Sequence, residues 1–299
     1  MSAGLLIRIS SLAAVAFLAF FTSPIFIIAG TAQPSGHAEP GSPAAPPGVH
    51  LANISTRLAI GTGDNVLIAG FIVAGSQPKR ILLRGLGPLL PVSENLADPT
   101  LELHDSSGAI VAANDNWRDT QQDELQATTI QPSNDYEAAI VRNLNPGAYT
   151  TILAGKRGTT GVGLVEVYDL DLTVDSKLAN IATRGFVDRG DNVLIGGTII
   201  IGSGPTRVLF RALGPSVPGV PNALQDTTLE LHDGQGGTIA SNDNWQDSQA
   251  AEIQATTIPP PDPREAAILR QLSPGAYTAI VRGKNNTTGV ALVEAYQLN

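Results

Sequence analysis

The chain has 299 residues, no cysteine, a formal net charge of −9 and a hydrophobic content of 42%. Without cysteines there are no disulfide staples, thiolate metal sites or cysteine nucleophile, so any folded unit is held by its apolar core. The acidic balance, with no Lys/Arg cluster, argues against nucleic acid and anionic membrane surfaces as partners.

The first element is an export signal. Arg8 supplies the positive start, an apolar stretch runs from Leu12 to Ile28 with breaks only at Thr22, Ser23 and Pro24, and Gly30 and Ala32 provide the small-residue exit that signal peptidase uses. Residues 1–32 are therefore expected to be removed. An uncleaved anchor is the alternative, because the apolar run is nearly long enough to span a bilayer. After cleavage no membrane contact is expected, and the protein is placed outside the cytoplasm: extracellular, periplasmic or on the cell surface. Residues 33–50 are rich in Pro, Gly, Ala and Ser and read as an extended tether.

From residue 51 the sequence is written twice. Leu51-Ala-Asn-Ile-Ser-Thr-Arg57 returns as Leu178-Ala-Asn-Ile-Ala-Thr-Arg184, and DNVLI, LELHD, NDNW, QATTI, PGAYT and TTGV recur in the same order. A period this long, with copies large enough to bury a core, predicts two tandem domains, 51–170 and 178–299, joined by a short polar linker at 171–177. Each copy is expected to fold alone.

Within the first copy, short β-branched runs alternate with Gly, Pro, Asn and Asp and predict eight strands: 54–60, 65–74, 79–86, 100–104, 109–113, 137–143, 148–155 and 161–169. The near-continuous apolar run from Asn65 to Val73, and its counterpart from Asn192 to Ile201, predict central strands covered on both faces. In Leu101–Asp105 the alternation puts the leucines on one face and Glu102 with His104 on the other, which turns the histidine outward. One short helix is predicted over Thr120 to Thr128, capped by Asp119 with Gln122 at the capping-box position. Its counterpart begins at Asp247. Tyr149 and Tyr277 follow Pro-Gly turns and are expected to pack at the sandwich edge. The fold class is all-β: two tandem jelly-roll-like β-sandwiches.

The chemistry-bearing cluster is an acidic turn. Asp105, Asn114, Asp115, Asn116 and Asp119 reappear as Asp233, Asn242, Asp243, Asn244 and Asp247, each set placing three carboxylates and two amide oxygens near one end of a hairpin. Ca²⁺ takes six to eight oxygens of this kind. Turn formation explains the same residues through side-chain bonds to their own backbone. Trp117 and Trp245, the only tryptophans, follow these turns directly, as a ligand-stacking surface or as plugs of the sandwich end. Arg84 and Arg211 stand in otherwise apolar segments and are expected to pair with Glu166 and Glu294.

The order LELHDSSGAIVAANDNW, a polar segment, then EAAIVRNLNPGAYTTILAG resembles the bacterial pre-peptidase C-terminal class of secreted jelly-roll modules. The whole repeat, from LANISTR to LVEVYDL, is also similar to a repeat found in tandem in large secreted bacterial surface proteins. The first resemblance implies a β-sandwich accessory domain that travels beside secreted hydrolases and sometimes binds calcium.

No G-x-S-x-G elbow and no H-E-x-x-H helix occurs, and His104 and His232 are the only histidines inside the repeats. These observations point to a non-enzymatic secreted or cell-surface protein that contacts extracellular polysaccharide or a surface protein. A calcium-dependent carbohydrate-binding module is the alternative, and a secreted hydrolase the distant one.

Overall fold

The computed structural model describes residues 48–298. The expected signal peptide and nearly all of the tether lie outside the described residues. The chain is all-β, with sixteen strands among the described residues, eight per repeat. In the first repeat these are β1 (His50–Ile60), β2 (Leu67–Ala74), β3 (Lys79–Leu86), β4 (Pro99–His104), β5 (Ile110–Asn114), β6 (Ala138–Leu144), β7 (Gly147–Gly155) and β8 (Gly161–Asp169), with a short helix α1 (Gln122–Ala127) between β5 and β6. The second repeats the order: β9 (Lys177–Val187), β10 (Leu194–Ile201), β11 (Thr206–Leu213), β12 (Thr227–Asp233), β13 (Thr238–Asn242), α2 (Ala250–Gln254), β14 (Ala266–Leu272), β15 (Gly275–Gly283) and β16 (Gly289–Leu298). No helix among the described residues is long and apolar enough to cross a membrane.

All strand pairs are antiparallel, and they resolve into two eight-stranded layers. One runs β13-β12-β15-β10-β1-β8-β3-β6 and the other β5-β4-β7-β2-β9-β16-β11-β14. Each layer takes four strands from each repeat. The exchange is reciprocal: the first strand of each repeat pairs on one side with its own last strand and on the other with the second strand of its twin. Thus β1 meets β10 from His50↔Ile201 to Arg57↔Ile195, and β9 meets β2 from Arg184↔Ile68 to Lys177↔Ala74. Alternation in strands such as β4 sends Leu101 and Leu103 inward, and the two layers enclose one core cluster drawn from both repeats, with Ile54, Phe71, Val167, Ile181, Phe210 and Val293 among its members. The sequence pattern suggests a separate core for each copy; the structure gives the copies a common one.

Equivalent residues meet where the layers join. Leu51 pairs with Leu178, and the hydroxyls of Thr56 and Thr183, 127 residues apart, lie 2.8 Å from one another. A pseudo-two-fold axis therefore passes between β1 and β9, as in an isologous interface contained within one chain. At the axis the symmetry is broken where Leu58 faces its own counterpart, Gly185. A Cβ on Gly185 would fall 1.7 Å from Leu58 Cδ2, so two leucines cannot share the axis.

Candidate functional site

The predicted Asp/Asn turn lies at the outer end of each repeat, where β5 and β6 are the last strands of their layers. Asp105 closes the β4–β5 turn: its Oδ1 accepts the Ser107 N–H at 2.8 Å, the Ser107 hydroxyl at 2.6 Å and the Ala109 N–H at 3.1 Å. The Ser107 hydroxyl is the main cause of its lowered pKa. Gly108, at φ +82°, supplies the left-handed residue this turn needs. Asp233 does the same through Gln235 and Gly237, with Gly236 also at φ +82°.

Asn114 and Gln121 work on β6. That strand pairs with β3 on one side, which leaves its other backbone edge to be satisfied. Asn114 Oδ1 accepts the Ala139 N–H at 2.9 Å, and the Gln121 amide both accepts the Val141 N–H at 3.1 Å and donates to the Val141 carbonyl at 3.0 Å. The Trp117 N–H donates to the Glu137 carbonyl at 2.9 Å, extending the series by one more pair. The NDNW segment with its helix therefore stands in for a ninth strand. The second repeat reproduces the device on β14, with Asn242 on Ala267, Gln249 on Leu269 and Trp245 on Glu265.

The helix starts later than the pattern predicts. Gln121 occupies the N-cap position and makes no capping bond, because its amide is spent on β6. Asp119 does not cap either. It accepts the Asn116 amide at 2.9 Å, and Asp247 accepts that of Asn244 at 3.0 Å. Short-range propensity has yielded here to the backbone groups of an open strand edge.

Asp115 meets a cation from elsewhere. Lys156, on the turn after β7, reaches Asp115 at 2.6 Å and Asp98 at 3.6 Å; Lys284 reaches Asp243 at 2.7 Å and Asp226 at 3.7 Å. The bond to Asp115 is the main cause of the raised Lys156 pKa. The expected ligand set thus divides three ways, with Asp105 in its turn, Asp115 on a lysine and Asp119 on Asn116. No group of three or more carboxylate or imidazole side chains is placed to hold a metal ion among the described residues. Sequence reasoning missed Lys156, Lys284, Asp98 and Asp226; their signal was the recurrence of Gly-Lys and Asp-x-Thr at the same offset.

Neither tryptophan offers a stacking face. Trp117 is 1% exposed and Trp245 6%, each packed with the buried residue of its helix, Leu125 or Ile253. Trp117 Nε1 donates to the Asn134 carbonyl at 3.1 Å, and the Arg118 guanidinium lies 4.2 Å from its ring centre. Burial of a large aromatic closes the open end of the layers, the plug role.

His104 shares its strand face with Glu102 as alternation predicts, but it is held in place. Its Nδ1 lies 3.1 Å from the Gly108 carbonyl and its Nε2 3.0 Å from Glu102 Oε2, so both nitrogens face acceptors and the imidazolium satisfies both. Its pKa is raised, first by the Glu102 hydrogen bond. With a folded pKa above the unfolded value, this clamp stabilises the hairpin fully below the ordinary histidine range and is lost as pH rises through the folded pKa. Following the β4–β5 amides by hydrogen exchange should show protection falling across that window. His104→Phe should flatten the pH response; an unchanged response in that variant would assign the effect to another group.

The strand arginines Arg84 and Arg211 pair as the sequence predicts. Arg84 Nε donates to Glu166 Oε2 at 2.7 Å and Arg211 Nε to Glu294 Oε2 at 2.8 Å, while each NH1 caps a loop carbonyl, Ile130 or Ile258, at 2.8 Å. Tyr168 and Tyr296 complete the groups, each hydroxyl donating to the second carboxylate oxygen. Burial is the main cause of the high Tyr168 pKa, pushed up to about 12. Glu265, fully buried, gathers the Gly214 and Ser216 N–H groups and the Ser216 hydroxyl on Oε1 and the Asp262 N–H on Oε2, fixing the loop that leaves β11.

No family model matches the chain, and no curated protein matches it. Among solved structures it is similar to a chain from the Sulfolobus turreted icosahedral virus, at 11% identity over 82% of this chain and 90% of that one, with a TM-score of 0.23. A DUF4785 family protein from Legionella pneumophila is similar at 10% identity over 88% and 87%, with a TM-score of 0.22.

Proposed function

We propose that the chain is exported, loses residues 1–32, and serves as a non-enzymatic β-sandwich module at or beyond the cell surface, working by contact with a surface protein or extracellular polysaccharide. The charged start, apolar run and small-residue exit support export. One observation carries the contact reading. In both repeats the polar residues of the end turn are engaged inside the molecule, while the neighbouring edge strand keeps an open side and exposed apolar side chains: Ile110 and Val111 on β5, Ile239 on β13. An open edge of this kind takes up an extended segment by strand addition. The two edges belong to different layers and to opposite ends of the molecule, so one chain presents the same contact twice and gains avidity from it.

A calcium-dependent carbohydrate-binding module is the second reading, and it has its own observation. Asp98, Asp115 and Asn116 each bury an Oδ1 with no hydrogen-bond partner, as do Asp226 and Asp243 in the second repeat. Such oxygens suit a hard cation, which would have to share the site with Lys156 or Lys284. Calcium at a hundredfold its dissociation constant would raise stability by about 2.7 kcal/mol and move the melting midpoint by several degrees.

Binding of the chain from Gln33 onward should be measured on a panel of polysaccharides and purified surface proteins, with calcium and with chelator, alongside a turnover assay. The contact reading expects chelator-independent binding that Ile110→Lys with Ile239→Lys weakens at least tenfold. Binding and a melting shift that both require calcium, and vanish in Asp115→Ala with Asp243→Ala, would establish the second reading instead. Turnover would overturn both.

A further inference from the structure

Lys79 and Asp169 form a pair that neither the end turn nor the strand ladders require. Lys79 opens β3 and Asp169 closes β8, neighbouring strands in which Ile81 stands opposite Asp169. Both side chains are 0% exposed, and Lys79 Nζ lies 2.9 Å from Asp169 Oδ2. The contact is not an aligned hydrogen bond. Asp169 Oδ1 accepts the Asp171 N–H at 3.0 Å, but Oδ2 has no partner in hydrogen-bonding geometry, while the amine donates to the Asp171 carbonyl.

The second repeat shows that the fold does not need a charge here. The equivalent positions are Thr206 and Gln297, a neutral pair with Gln297 Nε2 donating to Thr206 Oγ1 at 3.3 Å. A fully buried ion pair carries a desolvation cost that such a neutral pair avoids. Burial is also the main reason the Asp169 carboxyl is held above its usual range, toward its neutral form. The His50 imidazole, electrostatically coupled to both groups, has a buried Nδ1 without a partner.

We propose that Lys79 and Asp169 are the site of an intramolecular isopeptide bond that the folded chain forms by itself. Proton transfer from the ammonium to the carboxylate gives a neutral amine beside a neutral acid. The Nζ lone pair then attacks Asp169 Cγ, forming the Nζ–Cγ bond. An amine proton passes to the carboxyl hydroxyl, the C–O bond breaks, and one water leaves. No oxidant, reductant or co-reactant is needed. The product is a neutral amide, so the buried charges disappear, and exclusion of solvent protects the bond from hydrolysis. A cross-link constrains the unfolded chain more as its loop lengthens, and this one spans β3 to β8 in a protein that has no cysteine to do the same.

Peptide mapping of the purified full chain by mass spectrometry tests the proposal. The expected product is a branched peptide carrying Lys79 and Asp169, lighter than the sum of its two parts by one water, and an intact chain lighter by the same amount. Lys79→Arg should restore the full mass. So should the double substitution Lys79→Thr with Asp169→Gln, which installs the pair of the second repeat and keeps the site compatible with folding. Unmodified linear peptides for both residues, recovered quantitatively from folded wild-type protein, would overturn the proposal.

Discussion

Glu294→Gln should cost about 3–5 kcal/mol of folding free energy, because it leaves the Arg211 guanidinium buried without its counter-charge. The two side chains are 7% and 2% exposed, and Glu294 Oε2 receives both Nε and NH2 of the arginine. Burial opposes the charge of Arg211, but Glu294 and then Tyr296 outweigh it and raise its pKa. The matching group in the first repeat is wetter, with Arg84 and Glu166 at 16% and 12%. Glu166→Gln should therefore cost less. Urea unfolding of the two variants at neutral pH measures the difference, and equal losses would show that burial does not set the energetics of these groups.

The second large effect belongs to the axis between the repeats. Gly185→Leu places a side chain where Leu58 already stands, and overpacking of this kind costs about 1–3 kcal/mol or more. Leu58→Ala alone leaves a cavity and should cost about 2–5 kcal/mol. Combined, the substitutions exchange the large and small residues across the axis, so the double variant should be more stable than the sum of the single losses allows, with a coupling of about 0.5–3 kcal/mol. Additive losses would mean that the two positions do not touch.

Strand positions were legible because each carries local information twice, in its alternation and in the turn residues at its ends. The predicted spans 79–86 and 161–169 coincide with β3 and β8, and the predicted span 65–74 contains β2; β10 falls within the run from Asn192 to Ile201, but it alternates and is covered on one face only, with Ile199 exposed on the other. Arg84 and Arg211 were legible for a related reason, since a guanidinium in an apolar strand demands a carboxylate on the next one. The identity of a strand's neighbour was not legible. β1 presents the same alternation whether its second edge meets a strand of its own repeat or β10, so nothing local marks the exchange.

The end turn was ambiguous for a different reason. Asp and Asn supply metal ligands, close turns and cap exposed backbone with the same atoms. Which role applies depends on where β6 ends its layer and where Lys156 arrives from β7, both set by tertiary structure. Trp117 and the helix start followed from the same arrangement, because Gln121 is drawn to Val141 and the indole fills the space beneath. Ser107 and Gly108, by contrast, already spelled the Asp105 turn.

Calorimetry of residues 48–298 addresses the interlocked architecture most directly. Two layers that each borrow four strands from either repeat, around one core, should melt in a single transition whose calorimetric and van't Hoff enthalpies agree. The enthalpy should be near 0.7 kcal/mol per residue at about 60 °C, counted over both repeats together. Two separable transitions, each with the enthalpy of one repeat, would contradict the shared core and return the repeats to independent domains.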